Sequence, residues 1–268
     1  MDDAMLARLE HENMVEADVL AASQVPDARV ERTGGVALVL TGLPMRLFNQ
    51  VIVEDEGASA DAIAAGVAVA RDRGDRFVVN LRAGTDDRHL GLMDSLGLVP
   101  FPDNPWMPGM ALHPLPPPGT ALPAVGHEIS WVDDAAGIAD HVSAAANGFG
   151  MPREWLQSII SEDLIEVPGL AVYVGYTDGQ PVSAGLAIRT GRTIGVYNIA
   201  TIESARRQGH GAAMTMRIVD DGAAAGCDVA ILQASDMGQP IYERLGFRTV
   251  VRYMGYVDPV SLEPSSTA

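Results

Sequence analysis

Five prolines, Pro114, Pro116, Pro117, Pro118 and Pro123, fall between His113 and Gly126. Proline has no amide hydrogen and holds φ near about −65°, so neither a helix nor a central strand can cross this stretch. A stiff, extended connector is expected over 114–126, with one domain before it (1–113) and another after it (127–268). Each half is long enough to bury a core of its own.

The second half has a clear order of elements. Residues 128–132 read as a short strand, Asp133 as the cap of a helix running to about Asn147, and 151–163 as another helix with Pro152 in its first turn. Apolar runs at 170–176 and 182–189 flank Asp178 and Gly179, the composition of a tight hairpin, and a third strand follows over 193–202. A helix over 211–225, a strand over 229–232, a helix over 239–245 and a strand over 249–257 complete a mixed α/β sandwich.

Between that third strand and the next helix lies the segment Arg206-Arg207-Gln208-Gly209-His210-Gly211-Ala212. Glycines at a strand-to-helix turn let backbone approach an oxyanion, and the first amides of the helix point outward, unpaired, with the positive end of the dipole behind them. Arg206 and Arg207 add fork-shaped cationic donors. The segment therefore reads as a phosphate site. A P-loop requires lysine, and the chain contains none; all 18 of its basic residues are arginine. The dinucleotide fingerprint fails too, because Met214 stands where a third small residue is needed and Asp228 precedes the next apolar run instead of closing it.

Downstream, the strand at 229–232 leads through Ser235 to Tyr242-Glu243-Arg244-Leu245-Gly246-Phe247. Taken with the Arg206–Gly211 turn and the strand before it, this resembles the GNAT superfamily of acetyl-CoA-dependent N-acetyltransferases, from Glu128 to the tail. The resemblance implies an acetyl-CoA site. Pantetheine would lie along the strand at Ile199, Ala200 and Thr201, and the pyrophosphate on Arg206, Arg207, Gln208, Gly209, His210, Gly211 and Ala212. Ser235 falls near a position where many relatives carry a cofactor-contacting asparagine, and Tyr242 matches the tyrosine that protonates the departing thiolate.

The first half reads as a second, degenerate GNAT-like α/β domain, giving two mixed-sheet domains in tandem. Residues 74–81 parallel 226–233, Leu92 to Leu98 parallel Ile241 to Phe247, and 36–40 with 46–53 provide a hairpin. Its chemistry is missing. Glu54, Asp55 and Glu56 stand where the arginines should be, and Met93, which cannot donate a proton, stands in place of Tyr242. This half is expected to be non-catalytic and to wall the substrate cleft.

The net charge of −17 argues against nucleic acid or anionic membrane as a partner, and favours a cationic amine as substrate. It also leaves a polyanionic cofactor dependent on local donors. No apolar run reaches 18 residues and Met1-Asp2-Asp3 lacks the basic start of a signal peptide, so a cytoplasmic location is expected. The lone Cys227 forms no internal disulfide, and the six histidines show no ligand spacing, so no metal is expected. A monomer or weak dimer is expected, since tandem domains fill their own pseudo-dimer interface.

The reaction implied is direct acetyl transfer to a primary amine of a small molecule or peptide. The general base is not legible. Gln233 occupies a place where some relatives have a carboxylate; Glu203, Tyr197, Asn198 or a water chain remain as alternatives. Residues 145–164, with Phe149, Trp155, Glu154, Glu162 and Asp163, bear on acceptor choice, although an ordinary amphipathic helix explains them as well. The alternative to an enzyme is a non-catalytic acetyl-CoA-binding or interaction module.

Overall fold

The computed structural model describes residues 1–102, 106–120 and 126–262. In chain order the elements are helix α1 (Asp3–Ser23), strands β1 (Arg29–Thr33), β2 (Val36–Leu40) and β3 (Asn49–Val53), helix α2 (Ala60–Arg73), strand β4 (Val78–Arg82), helix α3 (Leu90–Ser95), and strands β5 (Val99–Pro100), β6 (Trp106–Leu112) and β7 (Glu128–Trp131). Helices α4 (Ala135–Phe149) and α5 (Arg153–Gln157) follow, then strands β8 (Leu170–Thr177), β9 (Gln180–Thr190) and β10 (Thr193–Thr201), helix α6 (His210–Ala224), strand β11 (Val229–Gln233), helix α7 (Gln239–Arg244) and strand β12 (Arg248–Val257).

The chain divides into two compact units, one of Met1–Ala17 with Gly109–Val250, the other of Asp18–Pro108 with Val251–Ala268. This differs from a boundary at 113. In the second unit β1, β2 and β3 form an antiparallel meander, β3 runs parallel to β4, and β4 pairs antiparallel with the end of β12, from Tyr253↔Arg82 to Tyr256↔Val79. In the first unit β7, β8, β9 and β10 are antiparallel, β10 runs parallel to β11, and β11 pairs antiparallel with β6, from Ala230↔Leu112 to Gln233↔Gly109. Each unit thus completes its sheet with a strand from the other half of the sequence. Main-chain pairing between distant strands outweighs the proline break as a divider, because an unpaired β11 or β4 edge would leave buried amides unsatisfied.

Each unit has its own core. In one, Leu38, Val51, Ile63, Val67, Phe77, Val79 and Met93 pack between sheet and helices; in the other, Tyr173, Val196, Met214, Ile218, Leu232 and Phe247 do so with Cys227. The order β2, β3, α2, β4, α3 repeats the order β9, β10, α6, β11, α7, and both carry an antiparallel pair followed by a parallel one. The part of the connector that is described does not stand free. Leu115 packs against the second of these cores and the Gly119 amide donates to Asp220 Oδ1 at 2.5 Å; residues 121–125 of the expected connector lie outside the described residues.

Local differences from the sequence expectations have simple causes. Asp134, not Asp133, caps α4, its Oδ1 accepting from the Gly137 amide at 2.8 Å. The helix expected over 151–163 ends at Gln157, and 162–166 form a 3-10 turn. Residues 46–48 are likewise a 3-10 turn preceding β3. Among the described residues no helix is long and apolar enough to cross a membrane.

Candidate active site

The site is built where β10 leaves β11. Their parallel ladder has three pairs, Thr193↔Val229, Ile194↔Ala230 and Gly195↔Ile231, and goes no further. Strand β10 continues to Thr201 while paired to β9, with a register shift between Tyr197 and Ala200. Asn198 takes φ +55° at this bulge, the one-residue insertion that bends a strand and increases its twist. From Val196 to Thr201, the edge of β10 that would face β11 therefore has no strand partner among the described residues. The main-chain groups of Ile199 and the amide of Thr201 lie on that edge, while the Thr201 carbonyl accepts from Arg206.

The bulge is held from below by a buried histidine. His141 on α4 is fully buried; its Nδ1 donates to the Tyr173 carbonyl at 3.0 Å, which leaves Nε2 to accept from Asn198 Nδ2, also at 3.0 Å. Burial pushes the His141 imidazole down to about 4, the carbonyl bond opposing that fall. It is neutral at ordinary pH, as the accepting Nε2 requires.

Beyond Thr201 the chain makes a 3-10 turn (Glu203–Ala205) and then enters α6. Gly209 is the N-cap residue at φ +90°, and Arg207 stands at φ +65°. An added Cβ at Gly209 would meet nothing within 4 Å, so glycine is required there by the backbone angle alone. The first helical bond is Ala213 N to Gly209 O. The amides of His210, Gly211 and Ala212 precede it and face outward with the dipole behind them. Gly211 is different: a Cβ there would lie 3.6 Å from Thr201 Oγ1 and 3.7 Å from Ile199 Cγ2, ordinary contact.

The side chains of this turn divide. Arg207 is exposed and makes no hydrogen bond or ion pair among the described residues. Arg206 is committed elsewhere. Its Nη2 donates to the Gly148 carbonyl at 2.7 Å and its Nε to the Thr201 carbonyl at 3.3 Å, tying the end of α4 to the end of β10. Gln208 donates to the Ser204 carbonyl at 3.2 Å. The His210 ring is buried, both nitrogens are without a partner among the described residues, and it stacks edge-on against His127 with centroids 4.3 Å apart. Burial holds His210 below the usual histidine range; burial, with His210 alongside, pushes His127 down to about 4. His127 Nε2 lies 2.9 Å from Ser183 Oγ. Only the amide of His210 is thus placed toward a ligand on the turn.

Tyr242, on α7, reaches back over α6. Its phenol bonds to Thr215, and its ring packs edge-on to Phe247 at 6.1 Å. Burial pushes the phenol up to about 12, the Thr215 bond opposing the rise. A group with that affinity is a proton donor, never a base, near neutrality. Ser235 is exposed; its Oγ accepts from the Gly238 amide at 3.2 Å and its carbonyl accepts from Gly238 and Gln239, so it starts α7.

Two further residues come from α1. Asn13 donates from Nδ2 to the Ile188 carbonyl at 3.0 Å and to Thr190 Oγ1 at 2.8 Å, and its Oδ1 accepts from the Tyr197 hydroxyl at 2.6 Å. Glu10 Oε1 accepts from Gln233 Nε2 at 2.5 Å. Both are wholly buried, with Leu6, Met14 and Ala17 on the same stripe. The spacing of Leu6, Met14 and Ala17 is the only sequence signal for this face; Glu10 and Asn13 interrupt it. Among the described residues no group of three or more metal-ligating side chains occurs.

Residues 140–257 match the family model described as an acetyltransferase (GNAT) domain. No curated protein matches the chain. Among solved structures, a GCN5-related N-acetyltransferase from Kribbella flavida is 18% identical, covering 92% of this chain and 94% of its own at a TM-score of 0.67. Another, from Sphaerobacter thermophilus, is 17% identical, covering 85% and 81% at 0.62. A tandem GNAT protein from the clavulanic acid biosynthesis pathway is 13% identical, covering 96% and 95% at 0.60. At these identities the likeness is one of fold, and it extends over both halves of the chain. The strand, turn and helix assembled above lie inside the matched segment: residues 140–257 are a GNAT acetyltransferase domain.

Proposed function

We propose that the chain is an acetyl-CoA-dependent N-acetyltransferase acting on a primary amine of a small molecule or peptide. The observation that carries this reading is the early end of the β10–β11 ladder at Gly195↔Ile231, followed at the far end of β10 by a turn whose helix amides have no partner among the described residues. A thioester arm pairs with the open edge at Ile199 and Thr201, and its pyrophosphate takes the amides of His210, Gly211 and Ala212 with Arg207 alongside. Arg206 and Gln208 shape the turn through carbonyls instead of meeting the ligand, and Ser235 serves the start of α7. The second unit, with Glu54, Asp55 and Glu56 at the matching turn, is read as non-catalytic.

In the reaction the amine nitrogen attacks the thioester carbonyl carbon, the carbon–sulfur bond breaks, and the sulfur takes the phenolic proton of Tyr242. The amine gives its own proton to a base. The competing reading, a module that binds acetyl-CoA without turning it over, rests on Gln233 standing where a carboxylate would serve.

Calorimetric titration of acetyl-CoA into the wild-type chain and into Gly211→Asp tests the cofactor. The substitution has room at Gly211 and suits a helix N-terminus, yet sets a carboxylate at the phosphate cradle. One-to-one binding lost in the variant supports the reading, followed by turnover with primary amines; no binding by the wild type refutes it. Binding without turnover leaves the competing module.

A further inference from the structure

We infer that His141 is a positioning residue for acetyl transfer: through Asn198 it holds the β10 bulge in the form that turns the Ile199 main chain toward the thioester. The inference rests on the acetyltransferase reading above and adds the contact that keeps its site in shape.

The register of β10 against β9 passes from Tyr197↔Leu186 to Ala200↔Ala184, so Asn198 and Ile199 together face Gly185. Two residues opposing one make a β-bulge, which leaves the extra residue out of the ladder. On its other side this part of β10 has no strand partner among the described residues, because the β11 ladder has ended at Gly195↔Ile231. A bulge paired along one edge only depends on its side chains for its shape. Ile199 is seated beside α6, where Gly185 leaves it room: a Cβ at 185 would lie 3.1 Å from Ile199 Cδ1 and 2.6 Å from Met214 Cγ. Asn198 is seated on α4, its Nδ2 donating to His141 Nε2 at 3.0 Å. The φ of +55° at Asn198 is an angle that a non-glycine residue keeps only where its surroundings enforce it.

Histidine suits this place because its two nitrogens do opposite things. Nδ1 donates to the Tyr173 carbonyl on β8, which fixes the ring and leaves Nε2 as an acceptor. One fully buried ring thus ties β8, α4 and the half-buried Asn198 together. Only the neutral ring can do so, since a protonated Nε2 has no lone pair to offer the Asn198 amide. His141 neither gains nor loses a proton in the reaction. It acts on where the Ile199 main chain stands.

Steady-state kinetics on the full chain test this, with acetyl-CoA as donor and alanine amide or Nα-acetyl-lysine amide as acceptor. His141→Leu removes both bonds. It should lower kcat by about 10- to 10²-fold, the order expected when reacting groups are misplaced by about 1 Å, while KM for acetyl-CoA stays within about threefold. His141→Gln can still donate to the Tyr173 carbonyl and accept from Asn198, and should recover most of that loss. Asn198→Asp keeps the size and the tolerance of positive φ, but sets an acceptor against an acceptor. Its rate relative to wild type should be low at alkaline pH and rise as pH falls, because the new carboxylate raises the proton affinity of the ring and the protonated Nε2 then donates to it. A purely structural contact would lower stability in urea, leave the folded protein as fast as before and add no pH limb. A His141→Leu kcat within about threefold of wild type, or an Asn198→Asp rate that tracks the wild-type pH profile, therefore overturns the inference. Where His141→Leu does not fold, Asn198→Asp decides alone. A wild type that transfers acetyl to neither amine, nor to a wider panel of primary amines, refutes the acetyltransferase reading and this inference with it.

Discussion

Replacing Gly195 by alanine should unseat α1 from the sheet. Gly195 is the last β10 residue paired with β11, and an added Cβ would lie 2.0 Å from Asn13 Oδ1, 2.4 Å from Tyr197 Cε2 and 3.0 Å from Asn13 Cγ. Asn13 cannot rotate away cheaply, because its amide is held by the Ile188 carbonyl, Thr190 Oγ1 and the Tyr197 hydroxyl at once. Giving up three buried bonds at about 1 kcal/mol each costs about 3 kcal/mol. The lower chain entropy of alanine returns about 0.5–1 kcal/mol, so the net loss should be about 2–3 kcal/mol. Urea unfolding followed by tryptophan fluorescence measures it. Asn13→Ala alone should cost a similar amount by stranding its partners. The double variant should cost less than the two single losses together, since the new methyl enters the space the amide vacated and meets only the Tyr197 ring, 2.4 Å away at Cε2. A coupling of about 2 kcal/mol is expected. A Gly195→Ala loss under about 0.5 kcal/mol, or costs that simply add, would refute the steric argument.

Four other outcomes follow from the same geometry. Gly209→Ala should cost about 1–2 kcal/mol from its φ of +90° alone, while Gly211→Ala, inside the helix, should be neutral or stabilising in the same urea experiment. Arg206→Ala should lower stability by freeing the Gly148 and Thr201 carbonyls, whereas Arg207→Ala should leave the melting temperature unchanged and weaken acetyl-CoA binding in calorimetry. Tyr242→Phe should cut kcat by about 10²-fold or more without changing acetyl-CoA affinity; its phenol, pushed up to about 12, stays protonated across the assay range, so no alkaline limb below that value belongs to it. His141, moved from 6.5 to about 4, stays neutral in the fold while the unfolded chain takes up a proton, so stability falls as pH drops from 6.5 toward 4. The full shift is worth about 3 kcal/mol, and His141→Gln should flatten that part of the pH profile measured by urea unfolding.

What the sequence made legible was local. The turn from Arg206 to Ala212, the helix after it and the strand before it depend on glycine placement and short-range periodicity, and the structure has them within a residue or two of the expected limits. Direction within that turn was not legible. Whether Arg206 meets a ligand or the Gly148 carbonyl depends on where α4 ends, 58 residues earlier, and the His210 ring turns inward because His127 is there to receive it. Helix α1 escaped notice because its buried stripe holds Glu10 and Asn13, which weaken the apolar period on which a helix is recognised. The exchanged strands β6 and β12 were hidden for a related reason. Periodicity shows that a segment is a strand but not which edge it joins, and the prolines pointed to a boundary that main-chain pairing does not respect.

Gln233 shows how far such distance matters. Read locally, an amide in that position counts against catalysis, and it was the one residue favouring a binding module over an enzyme. Glu10 lies 223 residues away in sequence and 2.5 Å away in space. With a buried carboxylate already at that point, a second would raise the proton affinity of one of the pair and repel the helix that carries it. An amide is the side chain of the same size that can donate to Glu10 instead. The residue that weighed against an enzyme therefore has an electrostatic reason to be what it is, and the choice between enzyme and module passes to turnover of acetyl-CoA with primary amines.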